Sequence, residues 1–264
     1  MELFTKQSLI AKLKAIREQG WIQSTRSSKN DGAIGNTLED LLGIKENNLP
    51  LPNAAEWEIK AQRVGNKSLT TLCHLEPSPQ ALKMVARLLL PQYGWTHKKA
   101  GTEYPITERS FRQTVHAHGY SDRGFIVQVD PALQRIAVSF NHTQVALRHA
   151  VWLREVEQQV GLGELEPQPY WGFHDLEHKL GTKLHNTFYA EAEVRRGQGL
   201  VEFRYIRFFI LQGVALERFL AGLHKGMVYV DFDARTGHNH GTKFRVRANY
   251  LPQLYATIHD IDTL

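Results

Sequence analysis

The chain has 264 residues, 42% hydrophobic and 22% charged, which gives enough material for one large domain or two lobes with a real core and excludes a disordered or fibrous chain. Lys and Arg number 32 against 27 Asp and Glu, a net charge of +5 that permits an anionic partner such as DNA without demanding one. The single cysteine, Cys73, excludes an internal disulfide and a cysteine-built zinc site and suits a reducing compartment; the N-terminus reads as amphipathic rather than as a signal peptide, and no apolar run reaches membrane-spanning length.

In chain order, Leu9, Ile10, Leu13 and Ile16 recur at helical spacing over residues 6–18, and Gly20 closes that helix. Residues 24–36 are small and polar and read as a loop, whose Arg26 and Lys29 either close over a DNA groove or are simply solvated. Thr37 is expected to cap a short helix through Leu42 that Gly43 stops. After the turn-rich ENNLPLPN, Glu56–Arg63 alternates as a strand, with Trp57, Ile59 and Ala61 on one face and Glu58, Lys60 and Gln62 on the other. Thr70–His74 is expected to be its partner strand, and Gln80–Leu90 an apolar helix. Ser110–Val115, Gly124–Asp130 and Arg135–Phe140 suggest a meander, and residues 146–160 a helix. GLGELEPQP is the clearest internal break and places a boundary near 160–170, giving lobes 1–160 and 161–264. Beyond it come a helix at 174–184, strands at 188–196 and 200–211, a helix at 215–225, and strands at 227–233 and 242–247. The order is mixed α+β. Trp152, Trp171, Phe208 and Phe209 read as core. Lys98, Lys99, Arg109 and Arg112 read as solvated charge, with phosphate contact the alternative, and Arg195 and Arg196 as turn residues.

Glu39, Asn53, Glu58 and Lys60 form the first chemically suggestive set. Glu58 and Lys60 stand two apart on a strand and share a face, and Asn53 lies on the turn leading in. Phosphodiester hydrolysis needs a nucleophile made from water and cover for charge building on phosphate. Oxygen ligands holding one or two Mg²⁺ ions, with a lysine beside them, supply both. Glu-x-Lys alone is weak, and for that pair taken by itself a solvated strand face with a cross-strand ion pair is the favoured reading. A second copy, Glu177-His-Lys179 preceded by Asp175, falls in a helical pattern, where residues two apart do not share a face, and reads as surface.

The second set is Asp231, Asp233, Arg235, His238, Asn239, His240, Lys243, Arg245 and Arg247, packed into one hairpin-like stretch. A His-x-His zinc site lacks an evident third ligand, and a plain surface hairpin is a further reading. Base readout is favoured. Arg and Lys donate to guanine, Asp accepts from cytosine, and His and Asn serve either edge, whereas phosphate binding alone calls only for Lys and Arg.

GNTLEDLLGIKENNLPLPNAAEWEIKAQR resembles the active-site segment of the MvaI/BcnI family of restriction endonucleases, which are related to the mismatch-repair nickase MutH. MVYVDFDARTGHNHGTKFRV resembles the same family's DNA-recognition segment, and Asp122–Phe125 also has its look. The resemblance touches most of the chain, with motifs in the expected order. It implies a mixed α/β PD-(D/E)xK core, a MutH-like two-lobed architecture and double-stranded DNA in the cleft between lobes. It implies a Type II enzyme using Mg²⁺, acting as a monomer on a short GC-rich site and cutting one strand per binding event. The setting implied is a prokaryotic cytoplasm, with a cognate DNA methyltransferase in the same system but not as a bound partner. In this reading Glu58 and residue 53 hold Mg²⁺, Lys60 orients the attacking water, and Glu39 assists the metal site or positions Lys60. His238, His240 and Arg245 match the recognition segment most directly, Asp231 and Arg235 less so.

The departure is Asn53, where the family has aspartate. Asparagine keeps the shape and one oxygen ligand but loses the charge, a predicted loss of two or more powers of ten in rate, about 3 kcal/mol or more. Either a natural enzyme uses asparagine, or an aspartate was replaced to stop cleavage. The second is favoured because an isosteric swap traps an uncut complex, and the codon in the natural gene decides. Three rivals stand beside the nuclease: a MutH-like nickase, a DNA-binding protein whose site has decayed, and a small-molecule enzyme with an Asp/Glu/His site.

Overall fold

A computed structural model describes residues 4–25, 32–44, 51–54, 56–66, 68–197 and 199–264. Its α-helices are α1 (Lys6–Glu18), α2 (Ala33–Leu42), α3 (Leu90–Tyr93), α4 (Ala150–Val160), α5 (Phe173–Leu184) and α6 (Leu216–His224). Its strands are β1 (Ile22–Gln23), β2 (Glu58–Arg63), β3 (Leu69–His74), β4 (Trp95–Thr96), β5 (Arg109–Val115), β6 (Arg123–Asp130), β7 (Arg135–Val145), β8 (Tyr170–Gly172), β9 (Asn186–Gly197), β10 (Leu200–Val214), β11 (Val228–Arg235), β12 (His238–Asn239), β13 (Lys243–Arg247) and β14 (Tyr255–Asp260). No described helix is long and apolar enough to cross a membrane.

The chain forms two compact units, each assembled from separated stretches: Met1–Thr70, Leu180–Arg218 and Arg247–Leu264 in the first, Thr71–Lys179 and Phe219–Val246 in the second. The GLGELEPQP break lies inside the second unit.

In the first unit the sheet runs β1-β10-β9-β2, with β14 also pairing β10. The β9–β10 hairpin is antiparallel, but β2 joins β9 in parallel, with Glu58 opposite Thr187 and Lys60 opposite Tyr189. A parallel partner requires a long crossover, so local pattern could not announce it. Helices α1 and α2 carry Leu9, Leu13, Leu38 and Leu42 into a core with Phe188, Phe203, Phe208 and Ile210. Helix α2 starts at Ala33, four residues before the expected cap. Thr37 is fully buried in mid-helix and its hydroxyl accepts from the Thr25 amide at 3.3 Å. The apolar residues Ala33 and Ile34 extend the buried stripe upstream and outweigh the capping preference. Gly43 does end the helix, at φ 73°.

The second unit holds a sheet ordered β3-β13-β11-β5-β4, with β12 on β11, and a three-stranded sheet β6-β7-β8. Three expectations fail here. Strand β3 belongs to the larger sheet and is not the partner of β2. The meander is split, because β5 pairs β11 while β6 and β7 form their own hairpin. Gly124, at φ 74° beside a bulge, turns the chain, so Phe111 and Phe125 meet ring to ring at 5.4 Å instead of their strands continuing edge to edge. Trp152 and Trp171 are buried as expected. The expected helix at 80–90 is broken into a 3₁₀ turn (Gln80–Leu82), a π turn (Val85–Leu89) and α3, with Lys83 in the left-handed region between the first two. In the first unit Phe209 is only half-buried and lies against Tyr189 at 6.2 Å. Arg195 is a β9 residue paired with Glu202 across β10 at 2.5 Å rather than a turn residue.

Candidate functional site

Strand β2 puts Ile59 into the core and turns Glu58 and Lys60 to the other face, as the alternation required. Glu58 is only 3% exposed. A buried carboxylate must be paired, and this one is paired twice: Lys60 Nζ lies 2.7 Å from Oε1 and Lys183 Nζ 2.9 Å from Oε2. The second contact is an ion pair without hydrogen-bond geometry, which leaves Oε2 buried and short of a donor. Lys183, on the last turn of α5, also donates to the Leu51 carbonyl at 2.6 Å.

Asn53 joins the same cluster from the turn ahead of β2. The turn closes on reciprocal Ala54–Trp57 backbone bonds of 2.9 Å. Asn53 Oδ1 accepts from the Ile59 amide at 2.8 Å, and Nδ2 donates to Glu39 Oε1 at 2.9 Å. Because β2 ends the β1-β10-β9-β2 path, the Asn53 side chain supplies an acceptor to this strand where, among the described residues, the sheet has no further neighbour. Glu39 reaches it from α2. Thus Glu39, Asn53, Glu58 and Lys60, chosen from the sequence, are one contiguous cluster in the first unit.

Nearby, Thr187 and Tyr255 share a hydroxyl bond of 2.8 Å. Burial, partly offset by the Thr187 bond and reinforced by the charge of Glu58, raises the Tyr255 phenol above its usual range. It therefore stays protonated beside the carboxylate. The donors Asn53 Oδ1, Glu39 and Glu58 are all oxygen, the set a small hard dication takes, and the under-bonded Glu58 Oε2 is a free valence for one. The residues fit such an ion by type, with one fewer negative charge than an aspartate at 53 would give.

In the second unit, the other expected set is also brought together. Alternation along β11 buries Val228, Val230, Phe232 and Ala234 and brings out Asp231, Asp233 and Arg235. Lys243 and Arg245 of β13 lie on the same face. Charges interlock across strands. Arg245 lies 3.3 Å from Asp231, Lys243 3.2 Å and Arg112 2.7 Å from Asp233, and Arg235 3.0 Å from Glu108. Beyond the β11 end, His238 Nε2 is 3.2 Å from His240 Nδ1, and Asn239 caps the Gly241 amide at 2.9 Å. Glu76 accepts from the Thr242 amide at 2.8 Å and so fixes this turn. A pocket of about 170 Å³ opens among His97, Lys98, Lys99, Tyr104, Arg112, Asp233, Arg235 and His240. Among the described residues no three His, Cys, Asp or Glu side chains converge as a metal site.

Lys183 is the candidate that the sequence undervalued. Arg112, read as solvated charge, is exposed as expected, and it also pairs with Asp233 across β5 and β11. Lys183 gave one faint signal, a lysine three residues after buried Leu180 on the helix face that also buries Leu176 and Leu184. Glu177, by contrast, is exposed on α5 as expected. Arg26 and Lys29 lie outside the described residues, as does most of ENNLPLPN.

A sequence model of the MvaI/BcnI restriction endonuclease family matches residues 10–255. No curated protein matches the chain. Among solved structures, the restriction endonuclease MvaI in complex with cognate DNA substrate is 21% identical over 98% of this chain and 99% of that one, with a TM-score of 0.75. Restriction endonuclease MvaI in the absence of DNA is 21% identical over 99% and 100%, with a TM-score of 0.55. The likeness establishes the mixed α/β restriction-endonuclease fold that the motifs implied.

Proposed function

Because the chain belongs to the MvaI/BcnI restriction endonuclease family, we propose that it binds double-stranded DNA at a short GC-rich site and that its β2 cluster is the machinery for hydrolysing the phosphodiester bond. The observation that carries this is the buried Glu58, held by Lys60 and joined through the Ile59 backbone and Asn53 to Glu39. A lone surface Glu-x-Lys would have no reason to be buried or to gather these partners. Further support is that a relative of the same fold was solved on its cognate DNA.

Asn53, Glu58 and Glu39 would hold the metal, Mg²⁺ in this reading, which when bound lowers the pKa of water and covers charge developing on the phosphate. The chain's own residues do the rest. Lys60, fixed against Glu58 Oε1, presents an ammonium that orients the attacking water and screens the phosphate oxygens. Asn53 fixes Glu39 and the start of β2. The first unit is the catalytic one, and the second reads bases through Asp231, Asp233, Arg235, Lys243, Arg245 and the turn His238-Asn239-His240. The protein works as a monomer, one strand at a time, within a restriction–modification pair whose methyltransferase stays separate.

Asn53 makes this chain a poor cutter, since an amide brings no negative charge to the cation. The experiment is cleavage of unmethylated phage DNA with Mg²⁺ by the chain and by Asn53→Asp. Discrete fragments from the variant, and a rate at least about a hundredfold lower from the parent, are expected. A second reading has one specific observation in its favour: both ends of the Asn53 amide are already satisfied within the protein, as in a site retired to structural duty. DNA binding by both chains with no cleavage by either establishes that reading instead.

A further inference from the structure

The family motif accounts for one lysine on Glu58, and the protein has two. Lys60 comes from the same strand, while Lys183 arrives from the end of α5, with its side chain only 15% exposed. A lysine in that last helical turn could have pointed to water at little cost. Instead it is directed at two oxygens, an ion pair with Glu58 Oε2 at 2.9 Å and a hydrogen bond to the Leu51 carbonyl at 2.6 Å. Those two contacts flank Asn53: Leu51 lies two residues before it and Glu58 opens the strand after it. Lys183 therefore clamps the turn and the strand that together aim the candidate cation ligands.

Charge counting gives the clamp a second consequence. Glu39 and Glu58 bring two negative charges, Lys60 and Lys183 two positive ones, so these four residues sum to zero. We infer that Lys183 is a positioning residue for the cation site, holding Glu58 and the Leu51–Asn53 turn in place and counterbalancing Glu58 Oε2 until a divalent cation shares that carboxylate. This rests on reading the β2 cluster as a metal-dependent nuclease site. It makes Lys183 a competitor of the cation and a support of the geometry at once, so its loss should move affinity and rate in opposite directions. An ion pair that merely stabilised the fold would do neither.

The test is Mn²⁺ binding to the full-length chain, followed by electron paramagnetic resonance, with Glu58→Gln marking which binding belongs to the site. Lys183→Met, in the parent and in Asn53→Asp, should tighten Mn²⁺ binding on the order of tenfold by removing one nearby charge. Lys183→Arg keeps the charge and should leave affinity near that of its parent. In the Asn53→Asp background, single-turnover cleavage should fall with Lys183→Met despite tighter binding, and Lys183→Arg should recover part of it. Lys183→Gln serves if the Met variant does not fold. Unchanged or weaker Mn²⁺ binding in a cooperatively folded Lys183 variant overturns the inference and leaves the nuclease reading intact. If Glu58-dependent Mn²⁺ binding is absent even from Asn53→Asp, both fall together.

Discussion

Replacing Asn53 by aspartate should make the protein less stable without metal and more stable with it. In the parent, Nδ2 donates to Glu39 Oε1 at 2.9 Å. Aspartate puts an oxygen there. The lost bond to a charged acceptor is worth about 1.5–3 kcal/mol. Two like charges about 3 Å apart at an effective dielectric near 20 repel by roughly 5 kcal/mol before anything relaxes. Glu39 is half-buried on α2 and can turn toward water, and one carboxyl can take up a proton. The net cost expected is therefore about 2–4 kcal/mol, a fall in Tm of roughly 5–10 °C for a chain of this size. The bond from the Ile59 amide survives, because aspartate still offers an acceptor, so the fold itself should hold. A divalent cation between the two carboxylates offsets this loss, returning about 2.7 kcal/mol at a hundred times its Kd and about 4.1 kcal/mol at a thousand times, where the sign reverses. Differential scanning fluorimetry of both proteins, in EDTA and in millimolar Mg²⁺ or Ca²⁺, reads this directly. If Asn53→Asp melts with the parent in EDTA and Mg²⁺ moves neither, Glu39 and residue 53 are not a shared cation cradle.

Three further outcomes are expected. Arg245→Ala, which also strips Asp231 of a partner at 3.3 Å, should cost about 1–3 kcal/mol of specific DNA binding and relax discrimination at one base pair; equal losses on all sequences, in Kd measured over a panel of altered sites, would reassign it to phosphate. Burial, with Arg123 and Arg148 beside it, holds the His149 imidazole below its usual range. The folded state thus favours the neutral ring, its contribution is complete above the ordinary imidazole value, and it is lost as pH falls through that value toward the lowered one. Tm followed between about pH 8 and 5 should lose part of its acid slope in His149→Gln, and parallel curves would refute this. At Gly124, φ is 74° and a Cβ would sit 2.4 Å from the Asn141 carbonyl, so Gly124→Ala should lower stability by about 2 kcal/mol or more; an unchanged urea midpoint contradicts that.

What the sequence disclosed and what it hid divide along one physical line. Strand β2 and helix α1 were legible because a period of 2 or 3.6 is written locally. The two candidate sets were legible because each sits within a limited run: Glu39 to Lys60, and Asp231 to Arg247. What escaped was decided between distant segments. Nothing near β2 says that its neighbour is β9, lying parallel, and not the adjacent β3. Nothing near Phe125 says that its ring will meet Phe111 edge to face and that the meander will split. Lys183 gave only a faint signal for the same reason, since its contacts exist only once α5 has packed beside the turn at Leu51. Thr37 was misjudged for a different reason: capping preference is worth about 1 kcal/mol, and two more apolar residues to bury outweighed it.

The division into two units carries a practical consequence. The backbone passes from one to the other after Thr70, Lys179, Arg218 and Val246, so neither unit is a contiguous stretch that a truncated gene could encode. A fragment ending at residue 160 would leave the sheet of β2 without β9 and β10, and one starting at 161 would leave the sheet of β11 without β5. Under the proposed function, specificity therefore cannot be transplanted as a cassette in the way a repeat module or a linked binding domain can. Retargeting it means editing individual side chains on β11, β13 and the turn between them, inside a chain that has to fold as a whole.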